Sequence, residues 1–263
     1  MDLGLKGKVA LVAAASDGLG KASALALARE GARVAICGRR KEMVDDAAAD
    51  IRRQTGADLL AVQADVAQAA DVTRFVEETR KKFGTVHVLV NNAGGPPTGD
   101  ILTLSDDDWE RGFRLTMMST VRLTRAVLPM MMAQRWGRVV TITSFVARQP
   151  LNELILSAAM RPGIHALTKI LSNLHAPQNI TVNAVAPGNI LTKRQENLNA
   201  ERAKKKGVPL DQYWAEVAKE IPSARFGRPE EVGNVVAFLA SEQASYINGV
   251  SLLVDGGLTK AAP

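Results

Sequence analysis

The chain has 263 residues, 46% of them apolar and 23% charged, with a formal charge of +6. These values describe a globular chain long enough for a full core and exclude the compositions of disordered and fibrous proteins. One cysteine, Cys37, excludes an internal disulfide; a start at Met1 with no signal-peptide pattern, and no apolar run of membrane-spanning length, predict a cytoplasmic protein.

Lys8 to Arg40 opens the chain with a short apolar run, a glycine turn, an alanine-rich segment and a second apolar run, the pattern of a βαβ unit. Gly18 and Gly20 let backbone approach a ligand, and the helix they start aims free N–H groups at the same place. Further strands are predicted near 59–63, 86–91, 137–143, 179–185 and 250–254, with the first two near 8–13 and 33–38. Helices are predicted near 18–30, 41–54, 68–83, 106–134, 152–174 and 229–240. Ser105 and Asp108 have capping-box spacing at the start of the fourth helix, and Pro229 opens the last. Such alternation implies an α/β fold of one domain: a doubly wound, mostly parallel sheet of seven strands with helices on both faces. Residues 192–221 break the rhythm and read either as a small helical lid over the strand ends or as a rigid helical hairpin. Their excess of Lys193, Arg194, Arg202 and Lys204–Lys206 reads first as a solvated helix face; a site attracting an anionic substrate or carrier is the alternative. No nucleic-acid motif accompanies the charge, no His spacing suits a metal, and no membrane partner is expected.

Asp65-Val66, Asn91-Asn92-Ala93-Gly94, Ser144, Pro187-Gly188 and Asp255-Gly256-Gly257 fall in register with the opening turn. With them the chain resembles the short-chain dehydrogenases/reductases, and within them the 3-oxoacyl-(acyl-carrier-protein) reductase-like members. The resemblance implies a Rossmann-type sheet in the order 3-2-1-4-5-6-7, a nicotinamide cofactor and a homo-oligomer, a tetramer or dimer. It places the family's glycine turn on Ala14, Gly18 and Gly20, with Ser16 and Asp17 beside the phosphates and Leu19 toward the nicotinamide. A positive φ at Ala14 would cost about 1–2 kcal/mol. Asp65 and Val66 would contact the adenine, Asn92, Ala93 and Gly94 the cofactor's centre, and Pro187, Gly188, Ile190 and Thr192 the carboxamide end. Arg39 and Arg40 stand where an acidic residue would meet unphosphorylated ribose, so NADP(H) is expected over NAD(H).

The family's catalytic serine falls on Ser144. Its tyrosine and lysine, thirteen and then four residues on, fall on Ser157 and Arg161, and its relay asparagine on Thr116. A serine hydroxyl is a far weaker acid than a phenol of pKa about 10, and losing a positioned acid costs about 10²–10⁴ in rate. Arg161 shares a helix face with Ser157 and could bind the ribose, as a cofactor contact, or stabilise an alkoxide. Pro162 predicts a kink. Tyr213 in the candidate lid is the one phenol that could replace the proton donor, and Arg148 a clamp for a carboxylate or phosphate. The expected function is an NADP(H)-dependent oxidoreductase between a carbonyl and a secondary alcohol, 3-oxoacyl reductase-like, acting on a small molecule that is anionic if the basic stretch serves it. The alternative is a catalytically impaired NADP(H)-binding sensor.

Overall fold

Side chains alternate across the first strand, and that alternation divides the core in two. In β1 (Val9–Val12), Ala10 and Val12 join one apolar layer while Val9 and Leu11 join the other, and all four are buried. A strand covered on both faces must be apolar throughout, as this one is. The computed structural model describes residues 1–260 and extends β1 into a seven-stranded parallel sheet in the order β3-β2-β1-β4-β5-β6-β7. The remaining strands are β2 (Arg33–Gly38), β3 (Leu59–Gln63), β4 (Val88–Asn91), β5 (Gly137–Ile142), β6 (Ile180–Pro187) and β7 (Ser251–Val254). Helices α1 (Gly18–Arg29), α2 (Lys41–Thr55) and α9 (Pro229–Leu239) cover one face. On the other lie α3 (Ala69–Phe83), α5 (Ser119–Ala133) and α6 (Ile155–His175). The order in which strands are added to the sheet reverses between β1 and β4, so a crevice opens beyond their carboxyl ends. The strand order and most elements read from sequence agree with this architecture, apart from a few residues at element ends and the fourth helix.

One helix expected over 106–134 is interrupted. Ser105 accepts from the Asp108 N–H at 3.3 Å and Asp108 accepts from the Ser105 N–H at 3.1 Å, which starts α4 (Asp106–Phe113) as foreseen. Arg114–Met118 then form a π-helical turn before α5. Hydroxyls of Ser119 and Thr120 bond the carbonyls of Leu115 and Thr116 at 2.5 and 3.1 Å, competing with the helical ladder at that turn. Pro162 does not break α6, which runs from Ile155 to His175. Leu156, Met160 and Ile164 are buried on either side of the proline, the first two beside Gly112, and they hold those turns in place. Residues 192–221 form two helices, α7 (Lys193–Lys206) and α8 (Leu210–Glu220), joined at Gly207, which adopts φ +70°.

His87, ahead of β4, accepts from the Val9 N–H through Nδ1 at 3.0 Å and meets Trp136 edge-on. Burial, then the charges of Lys8 and Arg33, push its pKa from 6.5 down to about 4. The unfolded chain therefore takes up this proton first, so the stability His87 contributes is full above pH about 6.5 and is lost as pH falls toward about 4. Urea unfolding at pH about 7 and about 4.5 should show a larger loss in the wild type than in His87→Asn, whose amide oxygen still accepts from Val9.

Candidate functional site

The turn after β1 is held by contacts that leave no room for extra atoms. Ala14 has φ +47° and Gly18 φ +55°. Asn92, just past β4, donates to the carbonyls of Ala13 and Ala14 at 3.2 and 3.0 Å. A Cβ on Gly20 would lie 2.5 Å from the Ala14 carbonyl oxygen and 2.7 Å from the Asn92 amide nitrogen. Glycine there is a packing requirement. Asp17 caps α1 by accepting the Gly18 N–H at 2.7 Å, and the helix start points into the crevice. At the end of β2, a Cβ on Gly38 would lie 3.0 Å from the Ser16 hydroxyl, and the exposed Arg39 and Arg40 follow. Asp65 accepts from the Ala67 N–H at 3.0 Å in the turn after β3, beside the buried Val66. Ala14, Ser16, Asp17, Gly18, Gly20, Arg39, Arg40, Asp65 and Val66 thus follow the carboxyl ends of β1 to β3. The donors there and the absence of a carboxylate at the end of β2 fit a dinucleotide whose ribose carries a phosphate.

Across the crevice, Leu19, Asn92, Ala93, Ser144, Ser157, Arg161, Pro187, Gly188, Ile190 and Thr192 line one cavity of about 150 Å³. A larger groove of about 630 Å³ between α8 and the segment before α9, lined by Trp214 and Phe226 among others, shares none of these residues. Ser144 follows β5 and accepts from the Val146 N–H at 3.3 Å. Ser157, in the first turn of α6, accepts from Arg161 Nε at 3.4 Å, a long contact. Each oxygen is engaged as an acceptor, which leaves each O–H free to donate into the cavity. Arg161 is buried and also donates from Nη1 to the Ile142 carbonyl at 3.3 Å. Burial, then the charge of Arg194, lowers its pKa from 12.5 to about 10, so it remains cationic at neutral pH.

Other expected site residues lie away from the cavity. Thr116 does not line it: it lies in the π turn with its hydroxyl oxygen enclosed and without a hydrogen-bond partner among the described residues. Gly94 sits on the exposed loop after β4. Arg148 is no clamp, since its Nη2 donates to the Ser251 carbonyl at 2.7 Å and ties that loop to β7. Tyr213 lines neither cavity and faces Lys206, whose ammonium is 6.0 Å from the ring centre. His165 Nε2 pairs with the Thr143 hydroxyl at 2.9 Å, and burial first holds its pKa near 4, so it is neutral at neutral pH.

The residues missed by reading the charged run as solvated are Arg194, Gln195 and Arg202. All three line the cavity from α7, while Lys193 and Lys204–Lys206 face water. Arg194, Leu198 and Arg202 recur every four residues, and that spacing was the available signal. Arg194 reaches over the mouth to the carbonyls of Gly95 and Pro96 at 3.2 and 3.0 Å. Arg202 pairs with Glu153 at 2.7 Å.

Residues 13–259 match the family described as Enoyl-(Acyl carrier protein) reductase. The chain is 38% identical over 255 residues to a 3-oxoacyl-[acyl-carrier-protein] reductase of Synechocystis sp., covering 97% of this chain and 98% of that one. It is 34% identical to 3-oxoacyl-[acyl-carrier-protein] reductase FabG of Escherichia coli, covering 97% of this chain and 99% of that one. Among solved structures, L-sorbose reductase from Gluconobacter frateurii, complexed with NADPH and L-sorbose, superposes with a TM-score of 0.95 at 35% identity over 100% of both chains. An actinorhodin polyketide ketoreductase with NADPH gives a TM-score of 0.93 at 30% identity, over 97% of this chain and 98% of that one.

The left-handed backbone of Ala14 carries a removable strain. Replacing it by glycine relieves about 1–2 kcal/mol and adds about 0.5–1 kcal/mol of backbone entropy cost. Ala14→Gly should therefore raise unfolding stability by about 0.5–1 kcal/mol, read from the urea midpoint at constant slope.

Proposed function

Because the chain belongs to the short-chain dehydrogenase/reductase superfamily, we propose that it is an NADP(H)-dependent oxidoreductase that interconverts a carbonyl and a secondary alcohol. The observation that carries the reading is the convergence of two donor hydroxyls, Ser144 and Ser157, and one cation, Arg161, on a cavity next to the dinucleotide cradle. NADPH accompanies similar reductases in their structures, which supports the choice of cofactor.

Ser16, Arg39 and Arg40 would hold the phosphorylated ribose, the start of α1 the pyrophosphate, and Pro187 to Thr192 the nicotinamide end. When bound, the reduced nicotinamide supplies a hydride to the carbonyl carbon. Ser144 and Ser157 donate to the carbonyl oxygen and withdraw electrons from its carbon. Arg161, behind Ser157 in a water-poor wall, stabilises the negative charge that gathers on that oxygen. Among the described residues, no tyrosine, lysine, histidine or carboxylate lines the cavity. Water therefore delivers the proton that completes the alcohol, passed on by a serine hydroxyl.

The remaining features extend the reading. α7 and α8 act as a lid. Met132, Ile170 and Leu174 leave apolar surface exposed on α5 and α6, and Leu252 does so on the edge strand β7, which supports a homo-oligomer, a dimer or a tetramer. The cytoplasm is the proposed location: Cys37 is a lone buried thiol, and among the described residues no helix is long and apolar enough to cross a membrane.

Fluorescence titration should detect NADPH binding, and a panel of ketones and oxo acids should reveal turnover. Ser144→Ala should lower kcat/KM about 10²-fold and leave NADPH affinity unchanged. Tight NADPH binding with turnover of no carbonyl would replace the enzyme by an NADP(H) sensor.

A further inference from the structure

We propose that the site selects a carbonyl substrate bearing a carboxylate, an oxo acid, and that Arg161 and Arg194 hold this carboxylate. The inference rests on the reductase reading and specifies its substrate class.

Three guanidinium groups, Arg161, Arg194 and Arg202, line a space of about 150 Å³, and no Asp or Glu among the described residues lines it. Among the described residues, only Arg202 of the three has a carboxylate partner, Glu153 at 2.7 Å. Arg161 is buried against a serine oxygen and a backbone carbonyl, and its Nη2 makes no hydrogen bond with the described residues. Arg194, exposed at the mouth, bonds the two carbonyls of Gly95 and Pro96, and its Nε makes no hydrogen bond with the described residues. Neutral acceptors solvate a guanidinium but do not balance its charge, and the depressed pKa of Arg161 reports the same imbalance. A planar carboxylate matches the guanidinium fork and restores neutrality within the wall.

The cofactor's phosphates belong at the start of α1 and the end of β2, whereas Arg194 and Arg202 share one cavity with Ser144 and Ser157. The oxo group would then meet the two hydroxyls while the acid group meets the arginines. Arg194 is a specificity residue in this scheme, and its substitution also loosens the contact of α7 with the Gly95 loop. The discriminating readout is accordingly a ratio.

Full-length protein with NADPH is assayed against oxo acids of about four to six carbons, their neutral amides, and a neutral ketose. The acids should exceed their amides in kcat/KM by about 10-fold or more, and Arg194→Gln should bring that ratio close to unity. Loss of the lid contact alone would lower acid and amide together and leave the ratio intact, which overturns the proposal. Equal use of acid and amide, or a ketose preferred to both, also overturns it while leaving the reductase reading standing. If no carbonyl is turned over, the reductase reading fails separately, and calorimetry with the matching hydroxy acids and hydroxy amides decides the anion site. Binding of the acid alone, lost in Arg194→Gln, supports it; equal binding or none refutes it.

Discussion

The site depends on one crowded point, where the Ala14 carbonyl, the Asn92 amide and the side-chain-free face of Gly20 meet. It joins the turn after β1, the first turn of α1 and the end of β4, three pieces of chain from both sides of the switch in strand order. Because the Asn92 amide satisfies two carbonyls of the turn, the N–H groups at the start of α1 remain directed outward. A left-handed alanine at position 14 is tolerated because these bonds over-determine the turn. The dinucleotide cradle and the wall with Ser144 and Arg161 are thereby fixed with respect to each other.

In the proposed catalytic site, a hydroxyl and a guanidinium stand where the family resemblance implies a phenol and an ammonium, which changes the type of help available. A phenol can give up its proton near neutral pH when a cation sits beside it; a serine hydroxyl cannot. What remains is hydrogen-bond donation from two hydroxyls and a fixed positive charge behind one of them, which is electrostatic assistance. Arginine in the wall also differs from lysine in shape. Its fork spans the Ser157 oxygen and the Ile142 carbonyl at once and keeps a third nitrogen in reserve.

Much of this was legible in the residues. Strands buried on both faces must be continuous apolar runs, so β1, β2 and β6 announced themselves, and the glycines of the first turn marked the crevice. The π turn at Arg114–Met118 was hidden, since it depends on Ser119 and Thr120 turning their hydroxyls inward, and either could equally face water. Pro162 misled in the opposite sense: the penalty of a mid-helix proline is local, and buried neighbours on both sides outweigh it. Arg194 and Arg202 were misjudged because composition makes α7 a polar helix, and only its docking on the Gly95 and Glu153 loops shows which turn faces inward.

The grip of α7 on the loop after β4 has a kinetic side. Gly95 lies so close beneath the Arg194 guanidinium that any Cβ there would collide with it. Lifting α7 far enough to exchange a ligand breaks the bonds to Gly95 and Pro96 together with the Arg202–Glu153 pair. On the lid reading proposed above, these contacts hold the closure, and dissolved salt, by screening the surface pair, shortens the dwell time of whatever lies beneath it.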